Sequence, residues 1–198
     1  MLPNLHTLPD EFTSERLLMR RYQPEESTMY YQMLRRNWEH LYEFLPSFLV
    51  QVRDEEDIKT WFVRQHAEWD ALNLFIFGIW EKTTGIYAGE SYLANPDWDV
   101  PRIEVGYFLV REFVGKGYAT ESANATIRFA FEQMNVLRID LQCAADNTGS
   151  IQVAKRCGFT REGCFRQHHR KKDGMLVDML WFGLLRSEWQ TLHQKQQD

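Results

Sequence analysis

Apolar and polar positions along the chain recur with periods that divide it into strands and helices. Arg16-Leu17-Leu18-Met19-Arg20-Arg21 reads as a first strand with imperfect alternation. Pro24 permits a helix start, and the segment to about Arg36 carries Met29, Met33 and Leu34 on one side. From Asp54, Ile58, Trp61, Phe62 and Trp69 recur at helical spacing and form a broad apolar face. Leu74 to Trp80 and Tyr87 to Leu93 read as two strands joined by the turn-like Glu81-Lys82-Thr83-Thr84-Gly85. Asn95-Pro96-Asp97 then breaks the chain. Ile103, Val105, Tyr107 and Leu109 alternate as one face of the next strand. After a glycine pair, Ile127, Ala130, Phe131 and Met134 hold the i, i+3, i+4, i+7 positions of a helix, and Ile139, Leu141 and Cys143 alternate on a strand. Asp146-Asn147-Thr148 opens a short helix that ends at Gly158. Phe159 to Arg170 and Leu176 to Leu184 read as strands around Asp173-Gly174, a favoured hairpin pair, and a polar helix from about Arg186 follows. The order is strand, two helices, three strands, helix, strand, helix, two strands. It neither alternates strictly nor segregates, so a mixed sheet covered by helices is expected.

Composition narrows the class. The chain has 198 residues, which suits a single domain over 1–198, and shows no repeat, low-complexity tract or linker. Hydrophobic residues at 44% and charged residues at 26% are the proportions of a soluble globular protein. Aromatics reach 14% with seven Trp, enough to build large apolar clefts. A net charge of -5 argues against a nucleic-acid partner and for cationic substrates such as amines. Cys143, Cys157 and Cys164 are odd in number and read as free thiols in a reducing compartment. No apolar run approaches a membrane span, and Met1-Leu2-Pro3-Asn4 lacks the basic and apolar regions of a signal peptide. A cytoplasmic protein without a membrane partner is expected. Six His without ligand spacing do not suggest a metal.

The sharpest chemical signal is Gly115-Lys116-Gly117, set between the strand ending near Val110 and the helix that follows. Two glycines one residue apart let the backbone turn tightly with no side chain in a ligand's way. The unpaired N–H groups of the next helix turn and its dipole favour an anion such as phosphate. Spacing excludes two familiar loops. A dinucleotide fingerprint needs Gly or Ala where Thr120 stands. A P-loop needs Gly at Val110 and Ser or Thr at Gly117. A glycine-rich turn that merely starts a helix is the plainer reading.

The loop resembles the pyrophosphate loop of the GNAT superfamily of N-acetyltransferases, Gln/Arg-x-x-Gly-x-Gly/Ala, and Tyr118-Ala119-Thr120-Glu121 is a common continuation there. Glu112 departs from the Gln/Arg position. Further anchors follow in order: Asn147-Thr148-Gly149-Ser150, then Gly158-Phe159, then Glu162-Gly163 resemble the RimJ/RimL-type signature. Glu15-Arg16-Leu17-Leu18-Met19-Arg20 resembles that group's opening strand, and Asp178 with Leu184-Leu185-Arg186-Ser187-Glu188-Trp189 its close. The resemblance covers almost the whole chain. It implies an α/β GNAT fold with a central, mixed, mostly antiparallel sheet of about seven strands flanked by helices. It also implies acetyl-CoA as donor and a primary amine as acceptor. Phe108, Val110, Gly115, Lys116, Gly117, Tyr118, Ala119, Thr120 and Asn147 are then the residues for acetyl-CoA, whose peptide-like arm can pair with a strand edge.

Amine acetylation needs the amine deprotonated, the thioester oxygen stabilised and the thiolate protonated as it leaves. Many relatives use a Tyr four residues before Gly-Phe; here that position is Ala154, and the resemblance assigns the leaving-group role to Ser150. A local cap is the alternative role for Ser150. Glu104, which shares a strand face with Gly106 and Phe108, is one candidate base, against a structural or substrate-orienting acid. Glu162 is the second, against a solvent-facing strand residue. His168 and His169 point to opposite strand faces, so at most one faces a site. Asn147 also suits a helix cap, Lys116 a plain surface lysine. Trp38, Tyr42, Phe44 and Phe48 either wall the acceptor side or belong to the core. The acceptor is expected to be a protein N-terminal α-amine of the ribosomal-protein type, with a polyamine, an amino sugar or another small amine as alternatives. A non-catalytic acyl-CoA-binding regulatory module and a structural or interaction protein are the readings outside catalysis. A homodimer accords with the resemblance and the aromatic surplus.

Overall fold

The computed structural model describes residues 5–42, 45–171 and 173–194. Phe44 and the Met1-Leu2-Pro3-Asn4 start lie outside them. Among the described residues eight strands form one sheet. They are β1 (Glu11–Thr13), β2 (Leu17–Arg20), β3 (Leu74–Glu81), β4 (Tyr87–Asp97), β5 (Arg102–Leu109), β6 (Arg138–Ala144), β7 (Thr160–Arg170) and β8 (Leu176–Leu185). The spatial order is β1-β2-β3-β4-β5-β6-β8-β7. Every neighbouring pair is antiparallel except β5 and β6, which run parallel.

The helices are α1 (Ser27–Arg36), α2 (Trp38–Leu41), α3 (Pro46–Leu49), α4 (Glu55–Asp70), α5 (Tyr118–Gln133), α6 (Thr148–Arg156) and α7 (Arg186–Gln194). The Asp54 carboxylate accepts from the amides of Glu56 and Asp57 and so starts α4. That helix buries Ile58, Phe62 and Trp69, and the Trp69 ring meets Phe75 and Phe77 of β3 edge-on at 5.1 Å. Phe75, Phe77 and Phe131 are fully buried, each worth roughly 1.5–3 kcal/mol of removal from water.

Adjacent residues of β4 show which helices cover which face. Glu90 accepts from the hydroxyl of Tyr30 on α1, and Ser91 lies 2.8 Å from Thr126 on α5. Successive strand residues point to opposite faces, so α1 and α5 lie on opposite sides of the sheet. Glu90 is buried on the α1 side. Its Oε2 accepts from Tyr22 at 2.9 Å and Tyr30 at 3.0 Å, and the hydroxyls of Tyr22 and Tyr87 are 2.7 Å apart. Burial raises the Glu90 carboxyl to about 7 despite the two tyrosine bonds, which pull the other way.

Two sequence readings change. The expected sheet of about seven strands gains β1, whose three residues are too few to show a period. Asn95-Pro96-Asp97 does not end its strand: β4 continues to Asp97 through an irregularity between Ala94 and Asp97, with Asn95 at φ 52°.

One irregularity positions everything that follows. β5 and β6 pair at Arg102–Arg138, Ile103–Ile139 and Glu104–Asp140, and there the pairing stops. β6 meanwhile stays paired with β8 as far as Ala144–Met179. The two parallel strands therefore part after Glu104, leaving a slot in the sheet. No helix among the described residues is long and apolar enough to cross a membrane.

Candidate active site

The glycine loop closes one end of the slot. Gly115 and Gly117 have φ 79° and 83°, the left-handed region that a side chain resists, and Gly117 caps α5. Nothing lies within 4 Å of where a Gly115 side chain would begin. The first amides of α5, at Tyr118, Ala119 and Thr120, precede the first intrahelical donor, Glu121, which bonds to Gly117 O at 3.1 Å. Lys116 holds its ammonium 5.6 Å from the Phe113 ring. Glu112, the departure from the family pattern, is exposed.

Arg16, read from sequence only as a strand residue, stands beside this loop. Its Nη1 donates to Lys116 O at 3.2 Å, and its Nη2 lies 3.5 Å from where a Gly117 side chain would begin. The Glu121 carboxylate fixes it through Nε and Nη2, both at 2.6 Å, and the guanidinium stacks 4.2 Å over the Tyr118 ring. Tyr118 in turn donates to Glu81. Burial alone would raise the Glu121 carboxyl, but the hydrogen bonds from Ser14 and Arg16 outweigh it and hold it below the usual value. No sequence spacing could reveal Arg16, since its partner lies 105 residues away.

The slot has an open backbone edge. Val110 N donates to Ala88 O at 3.0 Å, so the amides of even-numbered residues on this stretch face β4. Those of Tyr107 and Leu109 face the slot, beyond the last β5–β6 pair. Phe108 and Val110, the residues expected to meet acetyl-CoA on this stretch, flank that edge. Both side chains are buried and the Val110 amide is engaged, so the edge that an extended ligand can reach is centred on Tyr107 and Leu109. His40 of α2 already lies 3.0 Å from Leu109 O.

On the α5 side of the slot Tyr107 donates to Ser150 Oγ at 3.4 Å. Ser150 sits in the first turn of α6, where Asn147 Oδ1 accepts its amide at 3.0 Å. Asn147 is thus the cap, and the Ser150 hydroxyl is left for Tyr107. Burial pushes the Tyr107 phenol well up, so it remains a proton donor. Cys143 on β6 is buried close by, its thiol raised to about 11 by desolvation.

The opposite side carries Glu104. Its Oε2 accepts from Asn95 Nδ2 at 3.1 Å and Gln142 Nε2 at 3.0 Å, one group from each neighbouring strand. Burial raises its carboxyl, the Asn95 bond opposes, and Asp140 adds a smaller push upward. Glu162 is not brought to this point. Arg138 grips both its oxygens at 2.9 and 2.5 Å and holds the carboxyl below its usual value. His168 lies in an aromatic group with Phe165 and Trp181 on the β7–β8 hairpin. Trp38, Tyr42 and Phe48 are partly buried against the core. No group of three or more His, Cys, Asp or Glu among the described residues has metal-holding geometry.

This fold and loop have counterparts among known proteins. The family described as acetyltransferase (GNAT) domain matches residues 16–160. The chain is a GNAT N-acetyltransferase. YdaF of Bacillus subtilis (strain 168), whose name provisionally marks it as a ribosomal N-acetyltransferase, is 27% identical over 187 residues, spanning 89% of this chain and 95% of YdaF. The uncharacterized N-acetyltransferase p20 of Bacillus licheniformis is 34% identical over 113 residues, 57% of this chain and 63% of p20. The structure of RimL, a ribosomal α-N-protein acetyltransferase in complex with coenzyme A, superposes with a TM-score of 0.79 at 21% identity. It covers 90% of this chain and 97% of its own, and shows the shared GNAT fold. Within that fold Arg16, Tyr107 and the Glu90–tyrosine cluster are features that sequence motifs did not single out.

Proposed function

We propose that this GNAT chain transfers the acetyl group of acetyl-CoA directly to a primary amine, with a protein N-terminal α-amine as acceptor. The observation that carries the reading is the parting of β5 and β6 just after Glu104. It leaves a slot with a carboxylate on one side and the Tyr107–Ser150 pair on the other. The loop fits the cofactor: two left-handed glycines, open space at Gly115, unpaired α5 amides and the Arg16 cation suit a pyrophosphate. The free edge at Tyr107 and Leu109 suits the amide-bearing arm of coenzyme A.

Acetyl-CoA supplies the activated acyl group as a thioester. The chain's own residues do the rest. Glu104, its carboxyl raised by burial, accepts the proton of the incoming ammonium. Ser150, backed by the Tyr107 hydroxyl, offers a hydrogen bond to the departing sulfur. Glu162 serves the fold through Arg138. An α-amine, with a pKa near 8 against about 10.4 for lysine, is the easier nucleophile to free. RimL and YdaF, named for ribosomal substrates, support this acceptor class.

The test is incubation with acetyl-CoA and a panel of peptides with free or blocked N-termini, polyamines and amino sugars, following thiol release and acceptor mass. Acetylation of unblocked peptides at the α-amine is the expected result. Exclusive acetylation of polyamines or sugars would overturn the acceptor class, and coenzyme A binding without any transfer would overturn the enzymatic reading.

A further inference from the structure

Tyr92 of β4 pairs in register with Gly106 of β5, two residues beyond Glu104 on the same face. Its ring tip lies across the glycine. A side chain at Gly106 would begin 2.0 Å from Tyr92 Cζ and 2.2 Å from its hydroxyl oxygen. Gly106 is therefore the space that brings this phenol over the strand beside the slot. The side chain is partly buried, and its hydroxyl has no hydrogen-bond partner among the described residues. Its oxygen keeps contact with solvent. A hydroxyl with no partner inside the protein and one open side is left for water or for a ligand in the slot. Burial first, then the Glu104 and Glu90 carboxylates, raises its pKa to about 12. It stays a neutral hydroxyl, able to accept as well as donate.

Resting on the transferase reading above, we propose that Tyr92 contacts the acceptor amine directly, its hydroxyl oxygen accepting an N–H from the nitrogen that Glu104 deprotonates. The ammonium gives one proton to the carboxylate, leaving a neutral amine and a carboxylic acid. The Tyr92 oxygen holds a second N–H, and the freed lone pair, which first faces the Glu104 carboxyl, reaches the slot when the amine turns about its C–N bond. Two acceptors on one face of the sheet, one charged and one neutral, select a nitrogen that carries at least two hydrogens. A primary amine meets that requirement before and after the proton is lost.

Kinetics on the best acceptor of the panel, combined with calorimetry, test the proposal. Tyr92→Phe removes one oxygen and is expected to lower kcat/KM for the amine about tenfold, chiefly through KM, with acetyl-CoA affinity unchanged. Gly106→Ala, which displaces the ring tip, should lower it in the same direction. Wild-type kcat/KM in Tyr92→Phe would overturn the proposal, as would an equal loss of acetyl-CoA affinity. A second readout does not depend on turnover. In protein carrying ring-carbon-labelled tyrosine and saturated with coenzyme A, the NMR resonance missing from Tyr92→Phe should shift when an unblocked peptide is added. It should stay still with the same peptide acetylated at its N-terminus. If wild type transfers no acetyl group, a shift still supports the amine contact, and a stationary resonance overturns it.

Discussion

Glu90→Gln should change how stability depends on pH. The glutamine keeps the shape and an oxygen for Tyr22 and Tyr30, but cannot ionise. In wild type the carboxyl has an ordinary value of 4.5 in the unfolded chain and about 7 in the folded one. Below pH 4.5 both states hold the proton and the group is neutral to stability. As pH rises from about 4.5 to about 7, the unfolded chain releases its proton while the folded chain keeps it. Folding therefore loses stability through that window and levels off above it. At about 1.4 kcal/mol per pH unit the loss is about 3 kcal/mol. For a chain of this length that is roughly 6–12 °C in Tm. Urea unfolding of wild type and Glu90→Gln at several pH values from about 4.5 to 8 isolates the effect, because all other groups are common to both. The wild-type curve should fall away from the mutant's by about 3 kcal/mol on going to pH 8. Parallel curves would refute the account of a buried, desolvated carboxyl.

Gly117→Asp should weaken acetyl-CoA binding at least tenfold by calorimetry, about 1.4 kcal/mol, since φ 83° strains the new residue and its charge repels pyrophosphate; unchanged affinity would remove the loop from the binding site. Ser150→Ala should lower kcat at saturating substrate by a few-fold to about a hundredfold, more than it weakens acetyl-CoA binding. Equal turnover would take Ser150 out of the reaction. Glu104→Gln should lose most activity near neutral pH and recover part of it at alkaline pH, where the amine is already neutral in bulk water. Glu162→Gln should keep the wild-type pH–rate profile and cost no more than about 1 kcal/mol of stability through Arg138. If Glu162→Gln instead loses the acid limb, the two carboxylates have been assigned the wrong way round.

What could be read in the sequence was what local rules enforce. The left-handed turns at Gly115 and Gly117 demand glycine, so the loop was visible as a loop. Asp54 before an apolar face announces α4, and the alternation from Ile103 to Leu109 gives β5 and the face of Glu104. The strand β1 left no trace, because three residues cannot display a period. Asn95-Pro96-Asp97 reads as a break because its residues favour turns, whereas the strand takes up Asn95 at a positive φ and the ladder resumes at Asp97. The rest depended on contacts across long stretches of chain. Tyr92 and Tyr107 read as ordinary strand tyrosines until the register set one over Gly106 and the other against Ser150. The choice between Phe108–Val110 and Tyr107–Leu109 as the free edge required knowing which neighbour the Val110 amide bonds. Glu162 looked like an equal of Glu104 until Arg138, 24 residues earlier, was found holding both its oxygens.

Arg16 links two processes that sequence order keeps apart. The glycine loop is shaped by its own glycines, but its cation, its Glu121 brace and the ring of Tyr118 are assembled only when the segment leading into β2 docks on α5. Docking of the segment around residues 14–16 and occupancy of the loop are therefore coupled equilibria, and the coupling runs equally in both directions. If acetyl-CoA binds as proposed, a ligand at the loop should protect the early part of the chain from local opening, and a protease or a deletion that frees that part should lower affinity at a site a hundred residues downstream.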